Sequence, residues 1–327
     1  MNILKYICLP GLLVSGDIQT VSAVESKTDK NPNILVILID DAGYNDFGFM
    51  GSKEMQTPNI DALTSEGVVF TDAHVAATVS SPSRACLITG RYGHRFGYEC
   101  NLSDRTNGLP LEEETIAEVF KTNGYRTAAI GKWHLGSRDE QHPNNRGFDL
   151  FYGMKAGGRD YFYNEKKSDR PGDERNLLLN DRQVKFEKYL TDAFSEKAVE
   201  FINESSQPFM MYLAYNAVHT PMQATDEDMA KFEGHPRQKL AAMTYALDRG
   251  VGTVIRGLKD SGKFDNTLIF FLSDNGGATT NQSSNYPLKG FKGNKFEGGH
   301  RVPYFVVWKN GIPAGKPYDG LVSSLDI

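Results

Sequence analysis

Short apolar runs recur along the chain at residues 34–40, 127–130, 208–215, 267–273 and 303–308, and each reads as a β-strand. Helical patterns fall between them, so the alternation predicts an α/β fold with a largely parallel sheet covered on both faces. Leu240, Met243, Leu247, Val251, Val254 and Leu258 recur at steps of three and four, which marks one face of a long helix. Asp248, on that same helix, reads as structural. The polar, charged stretch 166–182 reads as a surface excursion. There is no internal repeat or low-complexity tract, and residues 24–327 are taken as one domain.

Composition narrows the class without choosing within it. The 327 residues are 39% hydrophobic and 24% charged with a formal net charge of -5, as expected of a globular chain able to bury a large core. The slight acidity argues against general nucleic-acid binding, although a pocket can still concentrate positive charge locally. Lys5, the apolar run 6–14 and the small residues ending at Ala23 predict a signal peptide over 1–23, hence a periplasmic or secreted protein. Cys8 lacks a lipoprotein box, and no other stretch is long enough to span a membrane. Only Cys86 and Cys100 follow the proposed cleavage point, and both are read as free thiols.

Chemistry first shows in Ser80-Ser81-Pro82-Ser83-Arg84 and the helix-like run after it. Pro82 suits a first helical turn, and Arg84 returns about one turn after Ser80. An anion placed there meets backbone N–H groups, the positive end of the helix dipole and a guanidinium. The short string alone fits an ordinary capped helix start equally well. Two strand ends add oxygen ligands: 34–39 runs into Asp40 and Asp41, and 267–273 runs into Asp274 and Asn275. Either alone reads as a turn, but the carboxyl ends of strands are where open α/β sheets bind ligands. Three carboxylates and an amide suit a hard cation, calcium before magnesium, better than zinc.

Ser80-Ser81-Pro82-Ser83-Arg84 followed by Leu87-Ile88-Thr89-Gly90-Arg91 resembles the signature of the type I sulfatases, within the alkaline phosphatase superfamily. In that family the first residue of the signature, Cys or Ser, is oxidised to formylglycine. The resemblance implies that Ser80 is converted by a serine-type maturase, that one hydroxyl of the hydrated aldehyde attacks a sulfate ester and that the other later expels sulfate. It also implies an alkaline-phosphatase-like α/β/α sandwich and one Ca2+ held by Asp40, Asp41, Ser80, Asp274 and Asn275.

The same resemblance gives meaning to motifs that are weak alone. Gly131-Lys132-Trp133-His134-Leu135-Gly136 matches a family element, with Lys132 on sulfate and His134 as proton acceptor from the formylglycine hydroxyl. Without it, Lys132 reads as a surface lysine and His134 as a core histidine, two residues apart on one side of an extended segment. His219, before Thr220 and Pro221, takes the place of a proton donor to the leaving alcohol, and Lys292 that of a lysine contacting sulfate and the leaving oxygen. Around residues 153–162 the family's serine or histidine is missing, and Lys155 and Arg159 are left outside the catalytic set.

Residues 321–327 read as the cap and first turn of a helix, so the family's smaller C-terminal subdomain is expected to be truncated. The resulting expectation is a sulfuric ester hydrolase acting on a sulfated carbohydrate or aryl sulfate. The alternatives are a phospho- or phosphonate-ester hydrolase using unmodified Ser80, and a fragment that binds sulfated glycans without turnover.

Overall fold

The computed structural model describes residues 31–101 and 108–327; the proposed signal peptide, with Cys8, lies outside the described residues. In chain order the strands are β1 Asn33–Ile39, β2 Val68–Phe70, β3 Ala73–His74, β4 Arg126–Lys132, β5 Leu150–Met154, β6 Leu178–Leu179, β7 Arg182–Gln183, β8 Phe209–Ala214, β9 Thr267–Ser273, β10 Tyr304–Val307 and β11 Val322–Ser323. The helices are α1 Pro58–Thr64, α2 Ser80–Thr89, α3 Ile116–Thr122, α4 Leu190–Glu204, α5 Asp226–Lys231, α6 Gln238–Asp260 and α7 Glu297–His300.

Nine of the strands form one sheet in the order β2-β10-β9-β1-β8-β4-β5-β6-β7. The five central strands, β9-β1-β8-β4-β5, are parallel. Antiparallel pairs close both edges, so the run at 303–308 forms an antiparallel strand rather than one of the parallel set.

Successive side chains of a strand point to opposite faces, and β1 divides its residues accordingly. Leu35, Ile37 and Ile39 join the larger core, with residues of α1, α4 and α6. Ile34, Val36 and Leu38 join the second, with residues of α2 and α3. Because both faces are covered, β1 is apolar from Ile34 to Ile39 instead of alternating. The expected α/β/α arrangement is therefore present. The six residues that marked the long helix are all buried on α6. Asp248 accepts hydrogen bonds from the backbone N–H groups of Asn59 and Ile60 at 3.2 and 2.8 Å, fastening the N-terminus of α1 to α6. That is a structural role.

Three local expectations change. Residues 166–182 are not a free excursion: Asp169 is buried on Arg159, Leu177 enters the core, and β6 extends the main sheet. Charge patterning could not reveal this because the partners lie on other segments. At 321–327, Ser323 does cap a turn, but the turn is 3-10 and β11 before it pairs with β3. Finally, β4 runs on through Gly131 and Lys132. His134 then takes a left-handed backbone conformation, φ 58°, so the extended alternation expected from Lys132 to His134 is broken.

Candidate active site

Every predicted site residue comes from the carboxyl end of a central strand or from a segment laid across those ends. Asp40 and Asp41 follow β1, Asp274 and Asn275 follow β9, Lys132 ends β4, and His219 lies beyond β8. Ser80 opens α2, whose residues 80–88 are all buried and whose end is set by Gly90 in the left-handed region, φ 63°. Lys292 comes from the loop between β9 and α7.

These segments converge on the Ser80 hydroxyl, which lies 3.2 Å from Asp40 Oδ1 and 3.1 Å from Asn275 Oδ1. The Asn275 amide is oriented by Nδ2, which donates to Asp41 Oδ1 at 2.8 Å and to Gly276 O at 2.9 Å. Its carbonyl oxygen thus faces Ser80. A hydroxyl has one proton, so it can satisfy only one of the two acceptors that approach it.

Each of the three carboxylates has a cationic partner. Arg84 Nη2 lies 2.8 Å from Asp274 Oδ2 and 3.6 Å from Asp40 Oδ1, while Arg84 Nη1 donates to Lys132 O at 3.1 Å. Lys132 Nζ lies 2.7 Å from Asp40 Oδ2, and Lys292 Nζ lies 2.7 Å from Asp41 Oδ1. Burial alone would raise Asp40, but Lys132, His219 and Arg84 outweigh it and hold the carboxyl below its ordinary value. Arg84 is fully buried among these groups. It therefore fixes Asp274 and the end of β4 from below.

The sequence profile of the sulfatase family matches residues 32–327. This chain belongs to the sulfatase family. It is 34% identical to the uncharacterized sulfatase YdeN of Escherichia coli K12 (92% of this chain, 62% of the relative) and 37% identical to mouse arylsulfatase J (84% and 48%). Among solved structures, Ps i-CgsB is 45% identical with a TM-score of 0.86, covering 91% of this chain and 70% of that one. The phosphonate monoester hydrolase of Agrobacterium radiobacter, 20% identical with a TM-score of 0.66, shares the fold. The chain spans about half to two thirds of the length of the curated relatives it matches.

Two histidines stand beside these groups. His219 Nδ1 lies 2.7 Å from Thr220 O. A carbonyl only accepts, so Nδ1 carries the hydrogen and Nε2 is the nitrogen turned toward Asp41 Oδ2, 3.7 Å away. His134 is held well below the ordinary histidine value by burial, then by Lys132 and Arg84, which keeps it neutral. Gly157 packs on its ring: a Cβ there would lie 2.6 Å from His134 Nε2.

The sequence reading missed the frame that holds Asp41 in its left-handed conformation, φ 61°. Asn281 Nδ2 and Ser283 Oγ donate to Asp41 O at 3.1 and 3.0 Å. The polar run 279–285 after Asn275 was the available signal. Arg159 Nη2 lies 2.8 Å from both carboxylate oxygens of Asp169, and Lys155 Nζ donates to Ser137 O at 2.7 Å. Both therefore serve the loops around the site.

The donor set fits a hard cation. Asp40, Asp41, Asp274 and Asn275 are all buried and contribute only oxygen, and the surplus acceptor at Ser80 is the kind of contact a cation relieves. Among the described residues, Asp40, Asp41 and His219 also bring ligand atoms within 4.8 Å of one another.

Proposed function

We propose that this protein hydrolyses sulfate esters of a sulfated carbohydrate, using formylglycine formed from Ser80 and one bound Ca2+. The observation that carries the reading is the Ser80 hydroxyl at the start of α2, set between Asp40 and Asn275 and ringed by Arg84, Lys132 and Lys292. Relatives support the substrate class: a canine relative, 33% identical, is an N-acetylgalactosamine-6-sulfatase, and Ps i-CgsB was crystallised with k-i-k-neocarrahexaose.

Asp40, Asp41, Asp274, Asn275 and residue 80 would hold the ion, which when bound offsets anionic charge and orients the oxygen on residue 80. Formylglycine supplies, in its hydrate, an attacking hydroxyl and a second hydroxyl for releasing sulfate. Lys132 and Lys292 bind the sulfate oxygens. His219 delivers a proton from Nε2 to the departing alcohol, and His134, neutral, takes one from residue 80. The expected maturase is of the serine type. The proposed leader at 1–23 assigns the enzyme to the periplasm or the exterior. Among the described residues, no helix is long and apolar enough to cross a membrane.

Mass spectrometry of the Ser80 peptide after co-expression with a serine-type maturase tests this. Loss of two hydrogens, accompanied by sulfate release from a sulfated oligosaccharide, is expected. Unmodified serine with phosphatase activity overturns the reading, as does a modified residue without sulfatase activity on any sulfated sugar or aryl sulfate.

A further inference from the structure

His74, at the end of β3, and Glu297 and His300, at the two ends of α7, form a cluster outside the proposed hydrolytic machinery. Each contributes one ligand atom, and these atoms all lie within 4.8 Å of one another. His74 Nε2 stands 3.1 Å from Glu297 Oε2, and the two imidazole rings lie 5.1 Å apart, inclined at 57°. The backbone fixes this meeting. Positions three apart share a helix face, while Val75 N donates to His300 O at 2.9 Å and Val302 N to Ala73 O at 3.0 Å. Nδ1 of both histidines is buried without a hydrogen-bond partner, which is unusual for buried polar atoms.

The charged neighbours are Asp72, 3.9 Å from His74 Nδ1, and Arg301, whose Nη1 is 3.5 Å from Glu297 Oε2 and 3.4 Å from Asp72 Oδ1. Arg301 also donates from Nε to Thr71 O at 2.9 Å, which commits part of its guanidinium to the backbone. Burial, and His74 beside it, hold His300 below its ordinary value. Neutral imidazole is the form that ligates metals.

We propose that His74, Glu297 and His300 form a second metal site, a two-histidine, one-carboxylate set for a divalent ion of the zinc class. Imidazole nitrogen suits zinc, cobalt and nickel, whereas calcium prefers oxygen, so the two sites select different ions. Two histidines and a glutamate are an established zinc set that leaves a position for water, and Glu297 faces solvent. The ion would join the strand leading to Ser80 with the helix that follows Lys292. Gly276 N, which donates to Gly299 O at 2.9 Å, ties that helix to the residue after Asn275. The site is therefore a clamp on the active-site frame.

The test uses the full chain without an affinity tag, saturated with Ca2+. Zn2+ is titrated by calorimetry, and Co2+ by its visible absorption, which reports coordination by nitrogen. One Zn2+ should bind per chain beyond the calcium, and binding should persist in Asp41→Ala. It should weaken by at least about 10–100-fold in His74→Gln and His300→Gln, the loss that already follows from removing an outer partner of a metal ligand. Glu297→Gln provides a third variant if either histidine change impairs folding, judged by circular dichroism. Absence of saturable Zn2+ binding overturns the proposal, as does undiminished affinity in the folded variants. Binding lost in Asp41→Ala and retained in the histidine variants would place the ion at the oxygen site and overturn it too.

Discussion

Arg84→Met offers a direct test of how charge is balanced beneath Ser80. Arg84 is buried 2.8 Å from Asp274 Oδ2 and 3.6 Å from Asp40 Oδ1, and donates to Lys132 O. Methionine fills comparable volume but removes the charge, leaving Asp274 without a cationic partner in a site from which water is excluded. Breaking a buried pair in this way costs about 3–5 kcal/mol. At about 2 °C per kcal/mol, the conversion for larger domains, the melting temperature should fall by roughly 6–10 °C in chelator-treated protein. Calcium should act in the opposite direction. With one positive charge fewer beside the carboxylates, the variant should bind Ca2+ more tightly, and each tenfold in affinity adds about 1.4 kcal/mol of stabilisation at saturation. The assay is thermal unfolding at a fixed scan rate, with chelator and then with saturating Ca2+. A fall below about 2 °C without calcium, or a smaller calcium-induced rise in Arg84→Met than in wild type, would refute the charge-compensation argument.

Asp41→Ala should abolish calcium-dependent sulfate release and leave Lys292 unpaired; turnover equal to wild type would remove Asp41 from the metal set. His134 is neutral when folded and has a depressed pKa, so its stabilising contribution is complete above its unfolded value near 6.5 and is lost as pH falls below it. His134→Gln should therefore flatten the stability profile below pH 6.5, where wild type loses up to about 1.4 kcal/mol per pH unit; denaturant titrations at several pH values would show parallel profiles if the assignment is wrong. Gly157→Ala should push the His134 ring from its place, because the new Cβ would lie 2.6 Å from Nε2. Steady-state kinetics should then show kcat falling more than 10-fold with little change in KM, and an unchanged kcat would show that the ring position does not matter.

What could be read in advance depended on whether a residue's role is local. The apolar runs of β1 and β9 are buried on both faces, so their hydrophobicity was visible directly, and each ends in its own ligands, Asp40-Asp41 and Asp274-Asn275. The helix of Ser80 was legible for the same reason: Pro82 and Gly90 mark its two ends within the motif. β5 and β6 were missed because a five-residue strand with an internal glycine and a two-residue strand carry little periodicity. Residues 166–182 looked solvated because Asp169 finds Arg159, and Leu177 the core, only in three dimensions. Charge makes the point most sharply. A net charge of -5 gave no hint of the site, where Arg84, Lys132 and Lys292 each meet one of Asp274, Asp40 and Asp41 across 92 to 251 residues of chain. Such pairs form only once the strand ends are side by side. Burying three carboxylates together is tolerable only with opposing charge close at hand, so the two lysines that contact sulfate in the proposed reaction, together with Arg84 beneath them, also allow the metal ligands to exist in the folded core.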